Sequence, residues 1–252
     1  MRDTISVEIC INCDGPQDIE DSVGAAHAGG ASTVELCSAM HFDGLTPSVD
    51  QISAARLAFD NRPGLLVMIR PRQGNFLYSP KEIVAIHRQI EAAATAGADG
   101  VVFGALNEAR CLALDVCREL IKTALASDLR PSFHRAFDST PDPVVTLDQL
   151  IDLGVDRVLT SGIPWGHDGT AWDGIDRLGQ LVGHAQGKIE IVIGGGVNTS
   201  NVARILRKLP PHADRISVHA FTGVQRNGRT TESAVRSLVA AVGRARYGSP
   251  PV

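Results

Sequence analysis

A chain of 252 residues with 44% hydrophobic and 21% charged residues has the make-up of an ordinary globular protein with a sizeable core. Its net charge of −4 is spread without any run of Lys or Arg, which argues against nucleic acid or a membrane surface as partner. No apolar stretch approaches the roughly 20 residues that cross a bilayer.

The first residues, MRDTIS, lead directly into a strand-like run, so no signal peptide is expected. The five cysteines are Cys10, Cys13, Cys37, Cys111 and Cys117. An odd number without an export signal points to reduced thiols in the cytoplasm. Cys111 and Cys117 fall in a helical stretch and read as small core residues.

Eight apolar, β-rich runs follow in chain order, each trailed by a helix-like segment: Val7–Cys10, Thr33–Cys37, Leu65–Arg70, Gly100–Ala105, Pro131–Phe137, Arg157–Thr160, Ile189–Ile193 and Arg215–Ala220. They recur every 25 to 35 residues, the length of one strand, one helix and two short loops. Eight such units predict an α/β fold, a single-domain (β/α)8 TIM barrel, which typically needs about 250 residues. Ser79-Pro80-Lys81-Glu82 is a capping box that opens the third helix, and Thr46-Pro47 is expected to open the second. Ala28-Gly29-Gly30, Ala96-Gly97-Ala98 and Leu153-Gly154-Val155 each end a helix on glycine just before a strand. The barrel domain is expected over 1–247, with 248–252 as a disordered tail. A homo-oligomer, most simply a dimer, is the expected assembly.

The carboxyl ends of barrel strands surround one mouth, where catalytic and binding residues collect. Ser132-Phe133-His134-Arg135-Ala136-Phe137-Asp138 carries His, Arg and Asp within five residues, and Glu8, Glu35, Arg70, Arg72 and His219 close other strands. Charges so placed suit acid–base work. The candidate catalytic set is therefore Glu8, Glu35, His134, Asp138 and His219. The competing reading is a salt-bridge network that plugs the barrel end, with Arg70 paired to Glu35. Arg70, Arg72 and Arg135 offer planar forks for a carboxylate or phosphate. Gly194, Gly195 and Gly196 follow the seventh strand, where many barrels bind phosphate, and Ser161 opens the sixth loop. These residues form the candidate ligand-binding set for a small anionic molecule. The sixth loop, Ser161 to Trp172, carries both tryptophans and reads as a lid or a subunit contact. Arg226 and Arg229 either reach over the site or are solvated.

Cys10-Ile11-Asn12-Cys13 has CxxC spacing, with Cys37 ending the neighbouring strand. Soft thiolates favour Cu(I) or zinc. A lone CxxC lacks a second pair, so on spacing alone inert buried thiols rank ahead of a metal site.

The stretches VEIC (7–10), TVELC (33–37), DGLTPS (43–48), MIRPRQGNFLYS (68–79), DGVVFGAL (99–106), FHRAFD (133–138), RVLTSG (157–162), GGGV (194–197) and VHA (218–220) together resemble the copper homeostasis protein CutC family. The resemblance spans nearly the whole chain. It implies a TIM barrel, a cytoplasmic location and a part in copper handling, with Cys10 and Cys37 as metal ligands for Cu(I). The chain departs from the family pattern at Arg72-Gln73-Gly74-Asn75-Phe76, where Arg-Gly-Gly-Asp-Phe is usual, and at Cys13, where Ser is usual. It departs again at Asn107-Glu108-Ala109-Arg110, which replaces an acidic turn, and in its longer sixth loop.

Copper handling accounts for the cysteines but not for the Arg, His and Glu beside them. The alternative is a barrel enzyme, a lyase, isomerase or hydrolase of a phosphorylated or sugar-like anion. There His134 is the acid or base, Glu8 and Glu35 orient it, and the arginines hold the anion. A divalent metal on Glu8, Glu35, His134 and His219 is a variant of that reading.

Overall fold

The computed structural model describes residues 5–60, 62–210 and 214–247. Eight strands close into one parallel barrel in sequence order: β1 (Ser6–Asn12), β2 (Thr33–Cys37), β3 (Leu65–Met68), β4 (Gly100–Phe103), β5 (Arg130–Phe133), β6 (Arg157–Thr160), β7 (Glu190–Ile193) and β8 (Ile216–Ala220). The helices between and after them are α1 (Ile19–Ala28), α2 (Val49–Ala58), α3 (Pro80–Thr95), α4 (Leu114–Ala126), α5 (Pro143–Asp152), α6 (Ile175–Ala185), α7 (Val202–Lys208) and α8 (Glu232–Tyr247). The expected TIM barrel is thus the observed fold. The expected tail, 248–252, lies outside the described residues.

Side chains alternate along each strand, and the two parities differ in chemistry. Ile9 and Ile11 of β1, Val34 and Leu36 of β2, Val67 of β3, Val158 of β6 and Val218 of β8 belong to the apolar layer under the helices. Glu8 and Cys10, Glu35 and Cys37, Met68, Arg157 and His219 take the other parity and fill the barrel interior. Most barrels fill that space with branched aliphatic residues. The register sets the layers: Glu8 lies opposite His219 and Thr33, and Cys10 opposite Glu35.

Helix starts follow local chemistry. Ser79 caps α3 as expected: its hydroxyl accepts from Glu82 N–H while its own amide donates to the Glu82 carboxylate at 2.7 Å. Helix α2 opens two residues later than Thr46-Pro47, because Ser48 supplies the cap with Gln51 as its reciprocal partner. Gly97 and Gly154 take positive φ after α3 and α5, the conformation that turns each chain end back toward the next strand.

Three strand ends fall short of expectation. β3 stops at Met68 rather than Arg70, and β4 at Phe103 rather than Ala105. β5 stops at Phe133 rather than Phe137, because the His134 ring accepts the Ala136 amide and turns Arg135–Ser139 into a 3-10 helix. Cys111 is a correction of another kind. It is exposed in the turn before α4, where its amide donates to the Asn107 side chain, while Cys117 is buried in α4 as expected.

Candidate functional site

The deepest part of the site is a charge layer. The Glu8 carboxylate is the third residue of β1, inside the barrel rather than at its lip. It accepts from Arg157 Nη1 at 2.7 Å, Thr33 Oγ1 at 2.9 Å and His219 Nδ1 at 3.0 Å. Burial would raise its pKa, but Arg157 and the His219 hydrogen bond hold it well below the usual carboxylate range. Arg157 also pairs with Glu190 at 3.2 Å. Burial would discharge His219, yet its contacts with Cys10, Glu8 and Glu35 keep it protonated well above its usual range. Glu35 lies 3.7 Å from His219 Nε2, its Oε1 has no partner, and burial pushes it up to about 8. Arg70 is not its counter-ion.

Above that layer sits a sulfur cluster. Cys10, Cys37 and Met68 pack together with Met40 and Phe221, and Cys10 Sγ lies 4.0 Å from Met40 Sδ. Both internal methionines of the chain therefore meet both interior cysteines. Donation from the Cys37 thiol, opposed by burial and aided by His219, brings Cys10 down to about 6. The same contact and burial push Cys37 well above the usual thiol range. Cys13 takes the opposite parity, joins the outer apolar core and is pushed up to about 12 by burial. The CxxC spacing is therefore no chelate, and Cys13 is the inert thiol that spacing alone favoured.

The cluster forms the floor of a cavity of about 220 Å³ that opens at the barrel mouth. Arg70, His134, Arg135 and Gly194–Gly196 line it, with Phe76 and Trp165 on the wall. Trp165 stands 5.3 Å from Phe76, under the guanidinium of Arg135 at 5.2 Å. The sixth loop thus contributes one wall of the mouth, whereas Trp172 stacks under Arg204.

Other expected site residues go elsewhere. Arg72 turns outward, paired with Glu82 and bonded to the carbonyls of Gln73, Asn75 and Leu77. Asp138 is buried behind the wall, accepting from Arg135 Nε at 2.8 Å, from Thr160 Oγ1 and from the Ser161 amide at 3.2 Å. Ser161 is held in that same network by Arg135. Both act as supports for Arg135. Glu8 and Glu35 face His219, not His134, so they do not orient His134. Arg226 and Arg229 form a small exposed hairpin away from the cavity. Sequence reading missed Arg157, although its parity with Leu159 on an apolar strand marked it as inward-facing. It also missed Met40 and Met68 as sulfur donors.

Among the described residues, two groups bring metal-ligand atoms within 4.8 Å of one another: Cys10, Glu35 and Cys37, and Glu8, Glu35 and His219. No helix is long and apolar enough to cross a membrane. A profile described as the CutC family matches residues 5–217.

The chain belongs to the CutC family. It is 39% identical over 200 residues to the copper homeostasis protein cutC homolog of Mus musculus, covering 79% of this chain and 68% of that one. It is 44% identical over 198 residues to a family protein CutC of Bacteroides thetaiotaomicron, covering 79% and 74%. Among solved structures it is similar to the copper homeostasis protein CutC from Streptococcus agalactiae. That match has a TM-score of 0.73 at 29% identity and covers 86% of this chain and 98% of that one. Cys10, Cys37, Met40 and Met68 all lie within the matched residues.

Proposed function

We propose that this CutC chain binds Cu(I) as cargo through the thiolates of Cys10 and Cys37, in the cytoplasm. One observation carries the reading: two thiols and two thioethers, from β1, β2, β3 and the turn after β2, gather on the floor of one solvent-accessible cavity. Cu(I) prefers such soft donors and accepts low coordination numbers. The electrostatics support it. Cys10 is brought toward its ionised form beside protonated His219, so one ligand is ready to bind; Cys37 gives up its proton when metal arrives. Met40 and Met68 supply neutral sulfur beside the thiolates. All five cysteines carry free thiols, as a reducing compartment would keep them.

A divalent ion on Glu8, Glu35 and His219 is the poorer fit. Glu8 already has three donors, and a second cation there would have to displace Arg157. Anaerobic titration of Cu(I) against bicinchoninate competition tests the proposal. Wild type is expected to take one ion tightly, and the Cys10→Ser, Cys37→Ser double variant to lose that site. Equal stoichiometry and affinity in the double variant would remove the reading.

A further inference from the structure

The cavity above the sulfur cluster is larger than an ion needs, and one side of it is lined by two residues whose buried N–H groups lack acceptors. Arg70 is 3% exposed. Its Nη atoms donate to the carbonyls of Phe42 at 2.6 Å, Gly44 at 3.1 Å and Gly74 at 3.1 Å, and its Nε has no partner. Arg72, Arg135 and Arg157 each have a carboxylate; among the described residues Arg70 has none within ion-pair distance. Asp43, on the same cavity but beyond ion-pair distance, offsets the charge only in part, so a buried guanidinium bonded only to carbonyls favours the arrival of an anion.

His134 stands next to it. Its Nδ1 accepts the Ala136 amide at 3.1 Å, so the ring proton resides on Nε2. That Nε2–H is buried and has no acceptor. Burial and the nearby Arg70 charge bring the ring down to about 3, so it is neutral at physiological pH and serves as a donor rather than a base. Both groups line the same cavity and pack on the same ring: Arg70 lies 5.2 Å and His134 5.0 Å from the centroid of Phe76.

Across the mouth, the amides of Gly195, Gly196 and Val197 donate to no acceptor among the described residues. Gly195 takes φ +93°, and a Cβ there would stand 2.8 Å from Ser161 Cβ, so this wall is bare backbone by steric necessity. A cavity of about 220 Å³ is too roomy for a bare ion and admits a group of a few non-hydrogen atoms, such as the anionic end of a small molecule. Leu159, Trp165 and Phe76 give it apolar walls for a carbon skeleton.

We propose that the mouth between Arg70 and His134 binds the anionic end of a small organic molecule, a carboxylate or a phosphate monoester. An acceptor-only group is what two unpartnered donors and bare amides complement. The carboxyl of Glu35 and the thiols lie deeper, so the anion is held at the lip, above the sulfur cluster, and its binding does not depend on copper.

The test uses metal-free protein carrying Trp172→Phe, so that Trp165 fluorescence reports on the mouth. It is titrated with inorganic phosphate and with malonate, and with sodium chloride at matched ionic strength. Saturable quenching or enhancement by phosphate or malonate, absent with chloride, is expected; the tighter of the two identifies the anion class. His134→Phe keeps the packing on Phe76 but lacks the N–H, and should weaken binding roughly tenfold or more. Arg70→Lys keeps the cation without the fork and should weaken it comparably; Arg226→Gln, outside the cavity, should not. A response that chloride reproduces overturns the proposal. So does unchanged binding in the variants whose circular dichroism matches wild type, or the lack of any saturable response to both anions. None of these outcomes bears on the Cu(I) titration.

Discussion

Arg157 on β6 reaches through the barrel interior to place Nη1 2.7 Å from Oε2 of Glu8 on β1, 149 positions away in the chain. The two strands are not neighbours, so this pair ties opposite arcs of the barrel together. Both side chains are almost fully buried. Arg157→Met should therefore destabilise the fold by about 3–5 kcal/mol, because it strands the buried Glu8 carboxylate without its counter-ion. Adding Glu8→Gln to Arg157→Met should recover part of the loss. Urea denaturation of the three variants measures both effects.

Glu35 gives stability a pH slope. Its folded value, about 8, lies above its ordinary value of 4.5. Between those values the unfolded chain has released a proton that the folded chain keeps, so stability falls as pH rises through that window. Glu8 acts in the opposite sense: its depressed folded value adds stability above its ordinary 4.5, lost as pH falls below it. Glu35→Gln should flatten the decline of the melting temperature toward pH 8, and Glu8→Gln should remove part of the loss in acid. Melting curves from pH 2 to pH 9 distinguish the two.

The thioethers are open to isosteric replacement. Met40→Leu and Met68→Leu keep volume but remove sulfur. Each is expected to lower Cu(I) affinity roughly tenfold, about 1.4 kcal/mol, with little effect on thermal stability. Competition titration and thermal melts of the same preparations give both numbers.

Thiol reactivity should follow exposure. Cys111 is the exposed cysteine among the five, and Cys13 and Cys117 are buried with thiols pushed up to about 12. Ellman's reagent should find Cys111 reacting fast in native protein, with Cys10, largely ionised on the cavity floor, as a second and sterically slower thiol; Cys111→Ser should remove the fast phase only. Cys13 and Cys117 should react only on unfolding.

The bare-backbone wall is sensitive to a single methyl. Gly195→Ala combines a positive φ with a contact at 2.8 Å, so a loss of about 1–3 kcal/mol is expected. Chemical denaturation measures it.

The sequence by itself determined the eight strand–helix units, the strands they begin with, the capping of α3 and the convergence of Glu35, Arg70, His134 and His219 on one cavity at the carboxyl end of the barrel. Those features are local: periodicity, capping chemistry and strand parity act over a few residues. Only the tertiary structure decided who meets whom. Arg157 found Glu8, Met40 and Met68 joined Cys10 and Cys37, Arg72 turned outward to Glu82, and Asp138 withdrew behind Arg135. The reason is that strand parity inverts with every one-residue step, and the strand ends at Met68 and Phe133 came earlier than the apolar runs implied. Barrel closure then brings together residues far apart in the chain, and no short-range pattern records which side chain of a distant strand arrives at the same height.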